Sequence, residues 1–197
     1  MTQAAPIEFL PPEEMARANF YALIARLFYA PPDSALLKAI ATEKLEGEGI
    51  AAAWSELAQA AATADPEDVR DEYDTVFVGT GKAQVTPYTC AYSIRYSNEA
   101  PLVDLRGELA RLGLGRKAEA NEPEDHIAAL CDAMRHLVAE QKRSLEEQKR
   151  FFERWIGPTF GPLCAAIERN DKTRFYKSVA KFAKSFFELE QTGFELL

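Results

Sequence analysis

Histidine and cysteine are scarce in this chain. Its 197 residues hold two histidines, His126 and His136, and three cysteines, Cys90, Cys131 and Cys164. The cysteines are far apart, odd in number and never in a CxxC pair. That argues against a disulfide framework or a zinc knuckle and favours a reducing compartment. A di-metal carboxylate bundle needs Glu-x-x-His motifs, but Pro123 and Ala133 stand three residues before the two histidines. Long apolar runs are missing as well, none approaching the roughly 20 residues that cross a bilayer. The start, Met1 to Pro6, has no positive charge ahead of an apolar stretch, so no secretory signal is expected. Cationic charge is in deficit, 23 Lys and Arg against 31 Asp and Glu, a net charge of -8. Nucleic-acid binding needs a basic face. The one basic stretch, Lys172, Arg174, Lys177, Lys181 and Lys184, steps along a helix whose other side is aromatic, and reads as a solvated face. No nucleic-acid partner is expected, and an acidic chain more readily meets a cationic one. What remains is a cytoplasmic, soluble globular protein, 47% hydrophobic and 27% charged, with one domain over residues 1–197.

Strand-type alternation is nearly absent, and the helical period recurs almost everywhere. Phe20, Leu23, Ile24, Leu27 and Phe28 share one face of a helix ended by Pro31-Pro32. Asp33 caps a short helix with Leu36, Leu37 and Ile40, and an Ala-rich helix from Ile50 to Ala64 holds Trp54 and Leu57. Asp65-Pro66-Glu67-Asp68 reads as cap, proline and acidic first turn of a helix that buries Val69, Tyr73, Val76 and Phe77 and stops at Gly79. From about 79 to 98 the period fails, and such loops are often functional. Helix returns at Pro101 and stops at Gly113, and a polar linker spans about 115–121. Asn121 or Glu122 caps the next helix, with Ile127, Leu130, Cys131, Met134, Leu137 and Val138 on one stripe. Ser144-Leu145-Glu146-Glu147 is a capping box leading to Phe151, Phe152 and Trp155. Gly157-Pro158 breaks that helix, a short one carries Phe160, Leu163, Cys164 and Ile167, and Asp171 caps a last long one. The expected fold is an all-α single-domain bundle of eight or nine helices.

Few groups are left to carry chemistry. Cys131 and His126, five apart, fall near opposite sides of a helix, which suits a structural thiol better than a nucleophile pair. Gly79-Thr80-Gly81-Lys82 lacks the GxxxxGK[ST] spacing and follows a helix, so it reads as a glycine-rich turn. Two clusters survive. Glu122-Pro123-Glu124-Asp125-His126 suits a first helical turn, where acids complement the dipole, but that leaves His126 unexplained. Asp125 beside His126 is also conceivable as an acid-base pair. The second cluster is Phe77, Tyr88, Tyr92 and Tyr96, aromatics on or beside a proline-containing loop that offer amphipathic contact area to a peptide.

At these residues the sequence resembles a known family. Glu72-Tyr73-Asp74-Thr75-Val76-Phe77-Val78-Gly79, then Pro87-Tyr88-Thr89-Cys90-Ala91-Tyr92, then Glu122-Pro123-Glu124-Asp125-His126 are similar in order and spacing to the TorD/DmsD family of cytoplasmic redox-enzyme maturation chaperones. Leu27-Phe28-Tyr29-Ala30-Pro31 and Phe175-Tyr176 also look like family positions. Val76 stands where leucine is usual, Cys90 where serine is common, and tyrosines where some members have tryptophan. The resemblance implies an all-helical fold, a monomer or a domain-swapped dimer, and a chaperone rather than an enzyme. Its implied partners are the twin-arginine signal peptide and the apo-form of a molybdopterin oxidoreductase, held back from export until its cofactor is inserted. No resident cofactor or metal is implied. Guanine nucleotide binding has been proposed for some members, and no residue here supports it independently.

Carried over by position, the signal-peptide groove comprises Tyr29, Phe77, Gly79, Pro87, Tyr88, Tyr92, Glu122, Pro123, Asp125 and His126. A leader with a cationic head and an apolar stretch needs carboxylates beside aromatics. Glu122, Glu124 and Asp125 supply the first, and Tyr88, Tyr92 and Phe77 the second. Two rival readings stay open: a small-molecule or nucleotide-binding regulator using the same loop, and a hydrolase built on Asp125 and His126. The client stays open as well, among trimethylamine N-oxide, dimethyl sulfoxide, nitrate and formate enzymes.

Overall fold

The computed structural model describes residues 10–45, 49–79, 81–93, 101–116 and 122–197. Among them are ten α-helices, two π-helical turns and no strand, in keeping with the all-α expectation. In chain order these are α1 (Pro12–Tyr29), α2 (Ser34–Thr42), α3 (Ile50–Thr63), α4 (Pro66–Tyr73) and its π-helical continuation π1 (Asp74–Val78). They are followed by α5 (Cys90–Ser93), α6 (Pro101–Arg111), α7 (Ile127–Arg135), π2 (His136–Glu140), α8 (Leu145–Trp155), α9 (Gly157–Arg169) and α10 (Phe175–Glu195). No described helix is long and apolar enough to cross a membrane.

Several helix ends follow directly from local sequence. Asp33 Oδ1 accepts from Leu36 N–H at 2.8 Å, Asp65 Oδ1 accepts from Glu67 N–H at 2.9 Å, and Ser144 and Glu147 form the reciprocal capping box. The chain leaves α1 at Tyr29, just before Pro31-Pro32. Gly79, at φ +66°, closes π1 by donating its N–H to Asp74 O at 2.7 Å. A Cβ at Gly79 would collide with the Lys82 carbonyl, so only glycine fits this turn.

The centre of the molecule is α10, which packs against α3, α9, α1, α4 and α8. Its inner positions are aromatic. Phe182 meets Phe20 and Trp54 edge-on, Phe186 meets Tyr21 with centroids 4.8 Å apart, and Phe187 packs between Phe152 and Phe160. A second pair, α1 against α7, forms the other side of the bundle. The two sides are joined near the end of α10, where Arg17 of α1 grips Glu190 through two hydrogen bonds of 2.7 Å and Tyr21 donates to the same carboxylate at 2.8 Å. Glu190 is buried, and a buried carboxylate is tolerable when its oxygens are paired this fully.

The structure corrects three expectations and bears out the break at Gly157-Pro158. The cap of α10 is not Asp171. The helix begins at Phe175 with no cap of its own, and Glu72 of α4 takes its place. Glu72 Oε1 accepts from Arg174 and Tyr176 N–H at 2.9 and 2.8 Å, and Oε2 from Phe175 N–H at 3.0 Å. Helix α7 begins at Ile127 rather than at 122, with His126 as its cap, and the earlier alternative Asn121 lies outside the described residues. The stretch 79–98 is not wholly irregular, because residues 90–93 make the one-turn α5, which brings the count to ten. Helix α9 starts at Gly157, so Gly157-Pro158 opens a helix as it ends the previous one. Residues 1–6, Thr80, 94–98, Tyr96 and most of the linker, 117–121, lie outside the described residues.

Removing the borrowed cap tests its weight. Glu72→Ala should lower unfolding free energy by about 1–3 kcal/mol, the usual cost of orphaned partly buried donors. Glu72→Gln, which keeps one amide oxygen as acceptor, should cost less. Urea midpoints at equal m-value would show the order Glu, Gln, Ala, and equal midpoints for all three would refute the capping role.

Candidate functional site

The irregular loop and the acidic turn are held together by main-chain atoms. Thr89 N–H donates to Asp125 O at 2.8 Å and Ile127 N–H donates to Pro87 O at 2.9 Å, bracketing an isolated antiparallel bridge between Tyr88 and His126. Side chains reinforce it. Thr89 Oγ1 donates to Asp125 O at 3.1 Å, and Cys90 N–H, at the start of α5, donates to Asp125 Oδ2 at 3.4 Å. The Tyr88 hydroxyl donates to Glu122, and its ring meets the His126 ring edge-on with centroids 5.3 Å apart. Burial, with the Glu122 carboxylate beside it, pushes the Tyr88 phenol up to about 12.

Beside this junction opens a cleft of about 540 Å³ between α1 and α7. Its floor is small because alanines from both helices face it, among them Ala22 and Ala25 of α1 and Ala129 and Ala133 of α7. Its lining is charged, with Glu122, Glu124 and Asp132 as acids and Arg26 and Arg116 as bases. Tyr29 stands at the edge with 52% of its surface exposed. The backbone oxygen of Tyr29 is fixed by the Tyr73 hydroxyl at 3.0 Å, so the end of α1 is rigidly placed while the Tyr29 ring is free to meet a partner. Arg106 pairs with Glu124 at 3.0 Å, and its hydrogen bond keeps that carboxyl below the usual range although burial works the other way.

Of the ten residues carried over from the family, three line the cleft: Tyr29, Glu122 and His126. The others build its support. Phe77 lies in the core, edge-on to Phe28 and Tyr176. Gly79 closes π1, and Pro87 is buried with its carbonyl receiving Ile127 N–H. Tyr92 is half-buried and donates its hydroxyl to Thr86 O at 2.9 Å. Pro123 offers its carbonyl to His126 N–H at 3.2 Å. Asp125 is 5% exposed, so its carboxylate serves the loop rather than the rim. Sequence reasoning missed Arg26, Asp132 and His136 as cleft residues. The signal that could have found them is the small-residue stripe Ala18, Ala22 and Ala25 on α1 opposite Ala129 and Ala133, since alanines on facing helices leave room between them.

His126 now has its explanation. It is 3% exposed, and as the α7 cap its Nδ1 accepts Ala128 N–H at 3.1 Å, which requires the neutral ring. Burial lowers its pKa below the usual 6.5, against the upward pull of Glu122 and Asp125. Among the described hydrogen bonds none joins the Asp125 carboxylate to the His126 ring; the carboxylate accepts from Cys90 N–H and the ring from Ala128 N–H. A depressed pKa on a base means the unfolded chain binds the proton more tightly. The stability from this cap is therefore full above pH 6.5, and is lost as pH falls through 6.5 towards the folded value. Melting temperature from about pH 7.5 to about pH 5.5 should fall more steeply for the parent than for His126→Asn, whose amide caps without titrating. Parallel curves would contradict the assignment.

Comparison with known proteins adds three findings. A family model described as the nitrate reductase delta subunit matches residues 43–165. The chaperone protein TorD of Aliivibrio salmonicida is 29% identical over 133 residues, covering 60% of this chain and 60% of that protein. TorD of Photobacterium profundum is 28% identical over 130 residues, 58% of each. The chain thus matches about three fifths of the length of these relatives. A crystal structure of a proposed redox enzyme maturation protein from Archaeoglobus fulgidus shares the fold, with a TM-score of 0.56, 22% identity and coverage of 93% of this chain and 97% of that one.

Proposed function

This chain belongs to the nitrate reductase delta subunit family, within the TorD/DmsD group of redox-enzyme maturation chaperones, and on that premise we propose that it is a cytoplasmic chaperone for a molybdopterin oxidoreductase. It binds the client's twin-arginine signal peptide and keeps the apo-form from export until the cofactor is in place. The observation that supports this reading is the cleft between α1 and α7, where rim carboxylates and an exposed tyrosine stand beside a small-residue floor. A leader peptide brings the complementary parts, a pair of guanidinium groups followed by an apolar stretch.

The geometry divides the labour. Glu122 faces the cleft with one oxygen held by Tyr88, which leaves its other oxygen for a guanidinium. Asp132 is engaged by Arg135 at 2.8 Å in an exposed i,i+3 pair. Such pairs are worth roughly 0–1 kcal/mol, so an incoming arginine can exchange with Arg135 at little cost. Tyr29 supplies apolar area with few rotamers to freeze. Tyr88 and Tyr92 act from behind by shaping the turn.

The test is titration of a synthetic twin-arginine leader from the molybdoenzyme encoded beside this chain. Tyr29→Ala should weaken binding by about 1–3 kcal/mol with little salt dependence, as an aromatic anchor does. Glu122→Gln should weaken it by roughly 0–1 kcal/mol and flatten the salt dependence. A leader with both arginines replaced should bind much less. Equal affinity for the intact and the replaced leader would overturn the reading.

A further inference from the structure

Both histidines of the chain line the same cleft, and both are held by groups that donate to them. His136, at the start of π2, places Nδ1 2.7 Å from Glu140 Oε2 and Nε2 3.1 Å from Arg135 Nη2. A guanidinium can only donate, so Nε2 accepts and the ring is neutral, with its proton on Nδ1 facing Glu140. His126 Nδ1 accepts from Ala128 N–H and is neutral for the same reason. Asp132 Oδ2 lies 4.0 Å from His136 Nε2, a carboxylate oxygen able to receive a new N–H there.

Adding a proton to each ring has a defined result. On His136 it sets an N–H against the donors of Arg135 and turns Nε2 towards Asp132. Arg135 then keeps Asp132 and Glu140 as partners but loses its third. The cleft gains a positive charge, and one of its rim carboxylates is drawn to the imidazolium. On His126 it removes the acceptor that caps α7 and adds charge beside Glu122.

We propose that the cleft is a proton-gated receptor, holding a cationic peptide segment while His126 and His136 are neutral and releasing it when they are protonated. The proposal rests on the leader reading for the class of ligand, and adds how its binding is regulated.

Among the described residues, the other charged groups facing the two rings are arginines and carboxylates, with one tyrosine behind. From α1 comes Arg26, from beyond α6 Arg116, and from α7 Arg135, and arginines keep their charge. Tyr88, behind His126, is pushed up to about 12. Arg135 holds the Glu140 carboxyl below the usual range, and Glu124 is likewise lowered. Glu122, Asp125 and Asp132 are further described carboxylates near the rings. Burial lowers the pKa of His126, so it contributes towards the acid end of the range.

The experiment is isothermal titration of an N-acetylated synthetic twin-arginine leader, whose own groups do not titrate, at about pH 7.5, 6.5 and 5.5 and constant salt. Parent, His136→Gln, His126→Asn and the double variant are compared, with circular dichroism confirming the fold at each pH. If bound leader lowers each imidazole pKa by about one unit, affinity falls by up to about fivefold per histidine across the range, because the full tenfold is reached only well below both values. Protons should be released on binding near pH 6.5, read from buffers of different ionisation heat. The double variant should bind with no such slope. A parent that binds equally at both ends, or a double variant that keeps the parent's slope, overturns the gate. Absence of binding at every pH instead removes the leader reading. The free protein then decides, since the Arg135 side-chain resonances must move with the His136 titration, and resonances that stay fixed also overturn the gate.

Discussion

Glu72 accepts from three main-chain donors at the start of α10, and without it the central helix of the bundle would begin on unpaired N–H groups. The next residue, Tyr73, donates to Phe28 O at 3.1 Å and Tyr29 O at 3.0 Å, at the end of α1. Two consecutive side chains of α4 therefore set the start of one helix and the finish of another. From there the chain runs through π1 to Gly79 and into the loop that meets the acidic turn. The cleft inherits its position from this sequence of contacts, because α1 supplies one wall and the turn supplies the rim.

How much of this was legible in the sequence depended on whether a signal was local. Asp33, Asp65 and Ser144 cap helices within three residues of themselves, and all three could be read from spacing alone. Glu72 acts on residues about a hundred positions away, where no periodicity reaches. Asp171 looked like a cap because it precedes an amphipathic helix, yet the helix starts four residues later. The acidic turn misled for a related reason. Acid followed by proline suits a first helical turn, but here it precedes the helix, and the true cap is a histidine, a type seldom chosen for that position. The two π turns leave no mark in composition.

The family resemblance located the right region and mixed two kinds of residue within it. Tyr29, Glu122 and His126 face the cleft, whereas Phe77, Pro87 and Asp125 are buried supports. Motif membership cannot separate these, since a support and a contact residue are equally constrained. Burial does separate them. It also bears on the hydrolase alternative, because Asp125 spends its carboxylate on Cys90 N–H and His126 its Nδ1 on Ala128 N–H.

The bond between loop and turn is made chiefly of peptide groups, and this has a consequence for descent. Thr89 N–H, Asp125 O, Ile127 N–H and Pro87 O belong to every sequence that folds this way, whatever side chains are attached. Short of proline at 89 or 127, no substitution deletes either hydrogen bond. Lineages can therefore exchange rings and charges around the mouth of the cleft while its frame stays put. Recognition can drift from one client to another without the architecture having to be reinvented.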